Sequence, residues 1–199
     1  MTTHSYLGLI MPTEGKQLGN GWYRKFVASS TAYGYQNSER GPTVNIDGRS
    51  NGIDAGMGRT WRLESGSVDL SATVGYRDVK LTPYAPTNDK AGNLFTFNPQ
   101  LMLWRQLSSR FDTDLLANYS TGTSSSFVRA RIGMRPTERY RIGIEGKWLD
   151  GRNYGVKKQG LFVALKVSEK LILELNGGRE EPDDRNSTTY AGIALSTSF

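Results

Sequence analysis

The chain has no cysteine, one histidine and only 7 prolines among 199 residues. Without cysteine there is no disulfide framework, which fits an oxidising compartment and a chance absence equally well. No run approaches the ~18 consecutive apolar residues of a membrane helix, so any membrane crossing would have to be made by strands. Met1 to His4 carry neither a basic n-region nor an apolar h-region. If the protein is exported, its signal peptide has been removed. Scarce proline beside 23 glycines, 10 tyrosines and 4 tryptophans describes a glycine- and aromatic-rich β-protein.

What the chain does have is alternation. Near its end, Ala191, Ile193, Leu195, Thr197 and Phe199 interleave with Gly192, Ala194, Ser196 and Ser198. The same period recurs in Val68 to Arg77, Val128 to Arg135, Tyr140 to Trp148, Leu161 to Val167 and Leu171 to Asn176. Eleven strands are expected, over roughly 4–11, 21–36, 44–63, 67–81, 93–106, 111–120, 126–135, 139–149, 157–167, 170–178 and 189–199. No stretch carries a helical period. A hydrophobic content of 37% and a mean hydropathy of −0.51 would ordinarily describe a soluble protein. In a membrane barrel only alternate residues meet lipid, so the strands average out as polar.

The polar faces discriminate between a soluble sandwich and a barrel. They carry basic and acidic residues together: Asp54, Arg62, Asp69, Arg77, Asp114, Arg129, Arg131, Arg141, Glu145, Lys147 and Glu174. Charges of both signs suit cross-strand pairing inside a lumen. The opposite faces are almost uncharged at mid-strand, as expected where an arginine costs roughly 2–4 kcal/mol. Trp22, Tyr23, Trp61, Trp104, Tyr140 and Trp148 fall near strand ends, where interfacial girdles lie. The expected fold is a single all-β domain spanning 1–199, an antiparallel transmembrane up-and-down β-barrel.

Connections alternate in length. Short turns fall at Glu64–Gly66, Leu107–Arg110, Pro136–Glu138 and Ser168–Glu169, and longer ones at Asn37–Ser50, Thr82–Gly92, Ser120–Ser125, Asp150–Lys158 and Gly178–Thr188. Short periplasmic turns and longer outer loops alternate in this way. Barrels of this kind close with an even number of strands, so about twelve are expected: either one strand lies upstream of the eleven, or residues 1–20 pair otherwise than this count has them. Pro99, inside a strand, predicts a bulge.

Little in the chain resembles catalysis. The lone His4, beside Ser5, lacks the fixed position and orienting partner a general base needs. Glu180, Glu181, Asp183 and Asp184 surround Pro182 and read as a solvated loop tip, with calcium as the less favoured alternative. The glycine-rich stretches lack phosphate-loop spacing. No catalytic residue, metal or cofactor is assigned. Arg129, Arg131 and Arg135 share one face, with Arg141, Lys147 and Lys166 on the strands beyond. They form either a binding face for anionic or hydroxyl-rich solutes, or a ladder paired with Asp114, Glu145 and Glu174 that stiffens the barrel. Net charge is +6, but the basic residues are scattered over strands, which argues against nucleic acid. Tyr33 and Tyr35 suit an interface belt, whereas Tyr84 and Tyr154, in or beside loops, are the candidates for stacking on a saccharide.

Tyr6-Leu7-Gly8, Leu18-Gly19-Asn20-Gly21-Trp22, Gly56-Met57-Gly58-Arg59-Thr60-Trp61, Gly75-Tyr76-Arg77-Asp78, Leu81-Thr82-Pro83 and Tyr190-Ala191-Gly192 resemble the cellulose biosynthesis protein BcsS family. The resemblance implies a bacterial outer-membrane barrel tied to cellulose production. It also implies a strand upstream of the Tyr-Leu-Gly element. The expected partners are outer-membrane lipid and lipopolysaccharide, with cellulose or secretion-machinery proteins as further candidates. The expected role is a non-catalytic accessory function. The alternative is a narrow passive channel for small polar solutes or short oligosaccharides.

Overall fold

A computed structural model describes residues 2–13, 19–37, 44–83, 91–151, 154–183 and 186–197. Period-two alternation becomes eleven strands: β1 (Thr2–Pro12), β2 (Gly21–Asn37), β3 (Val44–Leu63), β4 (Gly66–Thr82), β5 (Gly92–Gln106), β6 (Phe111–Ser120), β7 (Ser125–Met134), β8 (Tyr140–Gly151), β9 (Tyr154–Ser168), β10 (Leu171–Pro182) and β11 (Thr188–Thr197). They follow one another in a single antiparallel sheet, each beside its neighbour in sequence. This is the strand order of an up-and-down barrel, the expected fold class. Among the described residues no helix is long and apolar enough to cross a membrane, which says nothing about crossing by strands. The terminal Ser198 and Phe199 lie outside the described residues.

The chain divides into two compact units. The first comprises Met1–Thr60, Ser71–Pro99 and Ser120–Thr123. Within it β2 and β3 pair in one register from Gly21↔Thr60 to Asn37↔Val44, and β1 joins β2 from Thr2↔Tyr33 to Pro12↔Tyr23. Its polar face includes Asp54, Thr73, Arg77, Thr96 and Asn98. Its other face exposes Leu7, Ile53, Val74 and Phe95, the last by 82%. At the end of the polar face away from the β1–β2 turn, Ile46, Val79 and Leu81 form a small buried apolar cluster with Tyr33, Ala91 and Leu94 against it.

The second unit comprises Trp61–Leu70, Gln100–Tyr119 and Ser124–Phe199. Across β7 to β11 the register aligns apolar residues in rows. Ile132, Ile144 and Leu161 stand abreast, as do Met134, Ile142, Val163, Leu175 and Ile193. Leu161 is 65% exposed and Ile193 74%. A sheet in water buries such rows against a second layer, so their exposure asks for an apolar surrounding.

Several sequence expectations change. The connections expected at Asp150–Lys158 and Gly178–Thr188 are largely strand, because β9 and β10 stay paired as far as Val156↔Pro182. Glu180, Glu181 and Pro182 therefore belong to β10 rather than to a loop tip, and the Asp183 amide donates to the Gly155 carbonyl. Asp184 lies outside the described residues. Pro99 produces no slip against β6: Phe97 bonds Thr121, and three residues further along each strand Gln100 faces Asn118. The register shift seen in the β9–β10 pair falls between Leu171 and Ile172.

Candidate functional site

Alternation on β6 to β10 delivers charged side chains to one face of the second unit. Arg131 on β7 and Glu174 on β10 are separated by three strand-to-strand steps and by four residues of register, about 19 Å on a flat sheet. Yet the Arg131 guanidinium donates to both Glu174 oxygens, at 2.9 and 2.6 Å. The sheet of this unit must therefore curl toward its polar face. Arg131 also donates through Nε to Glu145 at 2.9 Å. Glu145 in turn accepts from the Tyr190 hydroxyl at 2.8 Å and pairs with Lys147. Lys147 reaches Asn176 at 3.3 Å.

A second carboxylate pair sits on β6. Arg141 donates to Asp112 and Asp114, both at 2.7 Å. Arg129 donates to Asp114 at 3.2 Å, and Arg135 pairs with Asp112 at 2.9 Å. Lys158 pairs with Glu180 at the far end of β9 and β10. The network thus holds six cations (Arg129, Arg131, Arg135, Arg141, Lys147, Lys158) and five carboxylates (Asp112, Asp114, Glu145, Glu174, Glu180), a surplus of one positive charge. At its centre Arg131 and Glu145 are each 4% exposed and Asp112 1%. Buried charges persist only when paired and hydrogen-bonded, which this arrangement provides for Arg131 and Glu145. Asp112 Oδ2 is held by the Arg135 charge without a hydrogen bond, and the Arg129 Nε–H is buried without a partner among the described residues.

Phe162 on β9 completes the cluster. It is 1% exposed, with the guanidinium carbons of Arg131 and Arg141 4.5 and 4.9 Å from its ring centroid. Positive charge over an aromatic face is attractive, more so when desolvated. Space for the ring comes from Gly143, whose position would drive a Cβ into Phe162 and the Ile132 carbonyl. Gly160 does the same for the Tyr190 hydroxyl.

A smaller cluster occupies the polar face of the first unit. Arg77 donates to Asp54 at 3.2 Å and to Ser29 at 3.1 Å, and Asn98 donates to Asp54 at 2.7 Å. Asp54, Thr73, Thr96 and Asn98 are all buried.

Of the residues expected on the polar face, Arg129, Arg131, Arg141, Asp114, Glu145, Lys147 and Glu174 come together in one network, and Asp54 meets Arg77 in the other. Asp69 is half-buried near the start of β4, and Arg62 is exposed. Lys166 leaves the basic group and pairs with the turn residue Glu169 at 2.8 Å, which holds the Glu169 carboxyl below its ordinary pKa. Tyr23 is not a girdle residue: it is buried on the polar face against Gly58 and Ser71. Tyr84 lies outside the described residues. Tyr154 opens β9 opposite Gly151, but its side chain lies outside them. His4 bonds Thr31 at 2.6 Å. Among the described residues no cluster of three His, Cys, Asp or Glu could hold a metal ion.

Asp112, Phe162 and Tyr190 escaped the sequence reading as site residues. Parity with Asp114 places Asp112 on the polar face, and parity with Gly192 places Tyr190 there. Nothing in the sequence announces that a phenylalanine on that face lies under two guanidinium groups.

Comparison with known proteins gives three findings. The family model described as cellulose biosynthesis protein BcsS matches residues 1–199. No curated protein matches the chain. Two solved structures are similar, the KdgM porin and the KdgM porin in complex with disordered oligogalacturonate. Each has a TM-score of 0.49 and 10% identity, covering 100% of this chain and 99% of the other.

Proposed function

The chain belongs to the cellulose biosynthesis protein BcsS family, and from that premise we propose that it serves bacterial cellulose or exopolysaccharide production as a non-catalytic accessory protein. In this reading it is a β-barrel spanning the outer membrane. Its exposed apolar rows face lipid, and its polar face is packed shut rather than left open for transport.

The observation that carries the reading is the buried network around Arg131, in which opposite charges are paired with a surplus of only one positive charge. A binding face for anionic solutes needs cations with unspent hydrogen bonds and access to solvent. Here the central guanidinium is spent on Glu145 and Glu174 and covered on one side by Phe162. The membrane placement rests on the apolar rows and on aromatics at their margins. Tyr140 and Trp148, eight positions apart on β8, bracket Ile142 and Ile144. Eight residues span about 27 Å along a strand. Tilted by ~40°, that is about 21 Å along the membrane normal, close to the ~25 Å apolar band of outer-membrane barrels.

The test is conductance of the refolded protein in a planar bilayer, with and without cello-oligosaccharide. A barrel that inserts and stays electrically silent is expected. Steady currents blocked by the sugar would replace the accessory role with a narrow saccharide-interacting channel. In that case Arg129→Ala and Arg131→Ala should alter conductance or ion preference.

A further inference from the structure

The apolar face of the first unit is grooved. Leu7 and Leu9 on β1, Phe26 on β2, Ile53 on β3, Val74 on β4 and Phe95 on β5 rim an open hollow of about 530 Å³. Small residues lower its floor: Ala28 stands between Leu7 and Ile53, and Ala55 stands opposite Phe26. Toward the β1–β2 turn the same face carries two exposed arginines. Arg24 lies two positions from Phe26, and Arg59 lies four beyond Ala55. Arg24 faces Met11 and Met57 across the strands, and Arg59 faces Trp22, whose ring centroid is 5.6 Å from the guanidinium carbon. The register makes Arg24 and Arg59 diagonal neighbours, about 7–8 Å apart at the backbone, within reach of a shared ligand for long side chains.

An arginine on a lipid-facing surface is tolerated near the interface and costly at the midplane. Trp22 marks that interface, with its ring beneath Arg59. A cationic pair at headgroup level beside an apolar groove at acyl-chain level matches one molecule that is anionic at one end and aliphatic at the other. We infer that this face holds an anionic glycerophospholipid, one acyl chain in the groove and its phosphate between Arg24 and Arg59. The guanidinium fork suits a phosphate, and neither arginine offers an acceptor to a zwitterionic headgroup's ammonium. The inference rests on the membrane-spanning reading above.

Two arginines at a membrane surface should enrich an anionic lipid locally by roughly 30-fold. The full chain is refolded into zwitterionic vesicles containing a small fraction of lipid with brominated acyl chains, either anionic or zwitterionic. Quenching of Trp22 is read as the difference between the protein and its Trp22→Phe variant. Native mass spectrometry of the unmodified chain counts retained lipids as a second readout. Stronger quenching by the anionic lipid is expected, together with retention of one such lipid, and both should be lost in Arg24→Gln/Arg59→Gln. Equal quenching by the two lipids in an inserted protein would overturn the lipid site and leave the membrane reading standing. A folded protein quenched by neither lipid would overturn both.

Discussion

Removing the Arg131 side chain is the sharpest test of the packed polar face. Arg131→Ala strands Glu174, which loses its bidentate partner, and takes one of three charge or hydrogen-bond partners from Glu145. It also uncovers one face of Phe162. Removing one member of a buried ion pair costs about 3–5 kcal/mol, because the remaining charge stays buried without compensation. With the Glu174 side chain 21% exposed, the loss should fall toward the lower end of that range. Arg131→Met combined with Glu174→Leu should cost clearly less than Arg131→Ala. The apolar pair removes the orphaned carboxylate, while Lys147 and Tyr190 continue to hold Glu145. Urea titrations of vesicle-refolded protein, followed by tryptophan fluorescence, read both variants. Arg131→Ala within about 0.5 kcal/mol of wild type, the range of ordinary surface substitutions, would refute the reasoning.

Gly143→Val should destabilise by more than the ~1–3 kcal/mol of ordinary overpacking, since its Cβ meets backbone as well as the Phe162 ring. Gly8→Val, whose Cβ would lie 4.0 Å from the Phe26 carbonyl oxygen, should be tolerated in the same titration. In the β9–β10 turn, the lowered pKa of Glu169 predicts a pH-dependent contribution. A carboxyl whose folded pKa lies below its unfolded one stabilises at neutral pH, and that stabilisation is lost as pH falls through the folded value. The difference between wild type and Glu169→Gln should therefore be confined to neutral pH and vanish in acid.

Strand positions were legible because each strand repeats with period two, and one-residue errors would reverse every face at once. Leu161, Val163 and Leu165 fall on one side of β9 whether or not the membrane is considered. The pairing of opposite charges followed from the same parity, as with Arg131 and Glu145. Aromatic roles were less legible. Tyr23 and Tyr33 look the same in sequence as girdle residues, and only the phase of β2 against β3 places them on the polar face, over Gly58 and Gly48. The ends of β9 and β10 were misjudged for a related reason. Gly, Lys and Glu near 155–160 and 178–182 read as loop, yet Lys158 and Glu180 pair across two strands that continue past the apolar rows. The Arg131–Glu174 contact was the least legible feature, because it depends on how tightly the sheet of this unit curls.

The most direct test of the membrane-spanning account is Leu161→Arg. Leu161 lies mid-strand on β9, exposed, beside Ile144 and within the apolar rows. Folded into lipid vesicles and titrated with urea, this variant should lose about 2–4 kcal/mol, the cost of a cation at the bilayer midplane. A loss within about 0.5 kcal/mol would mean that Leu161 faces water, and would contradict the account.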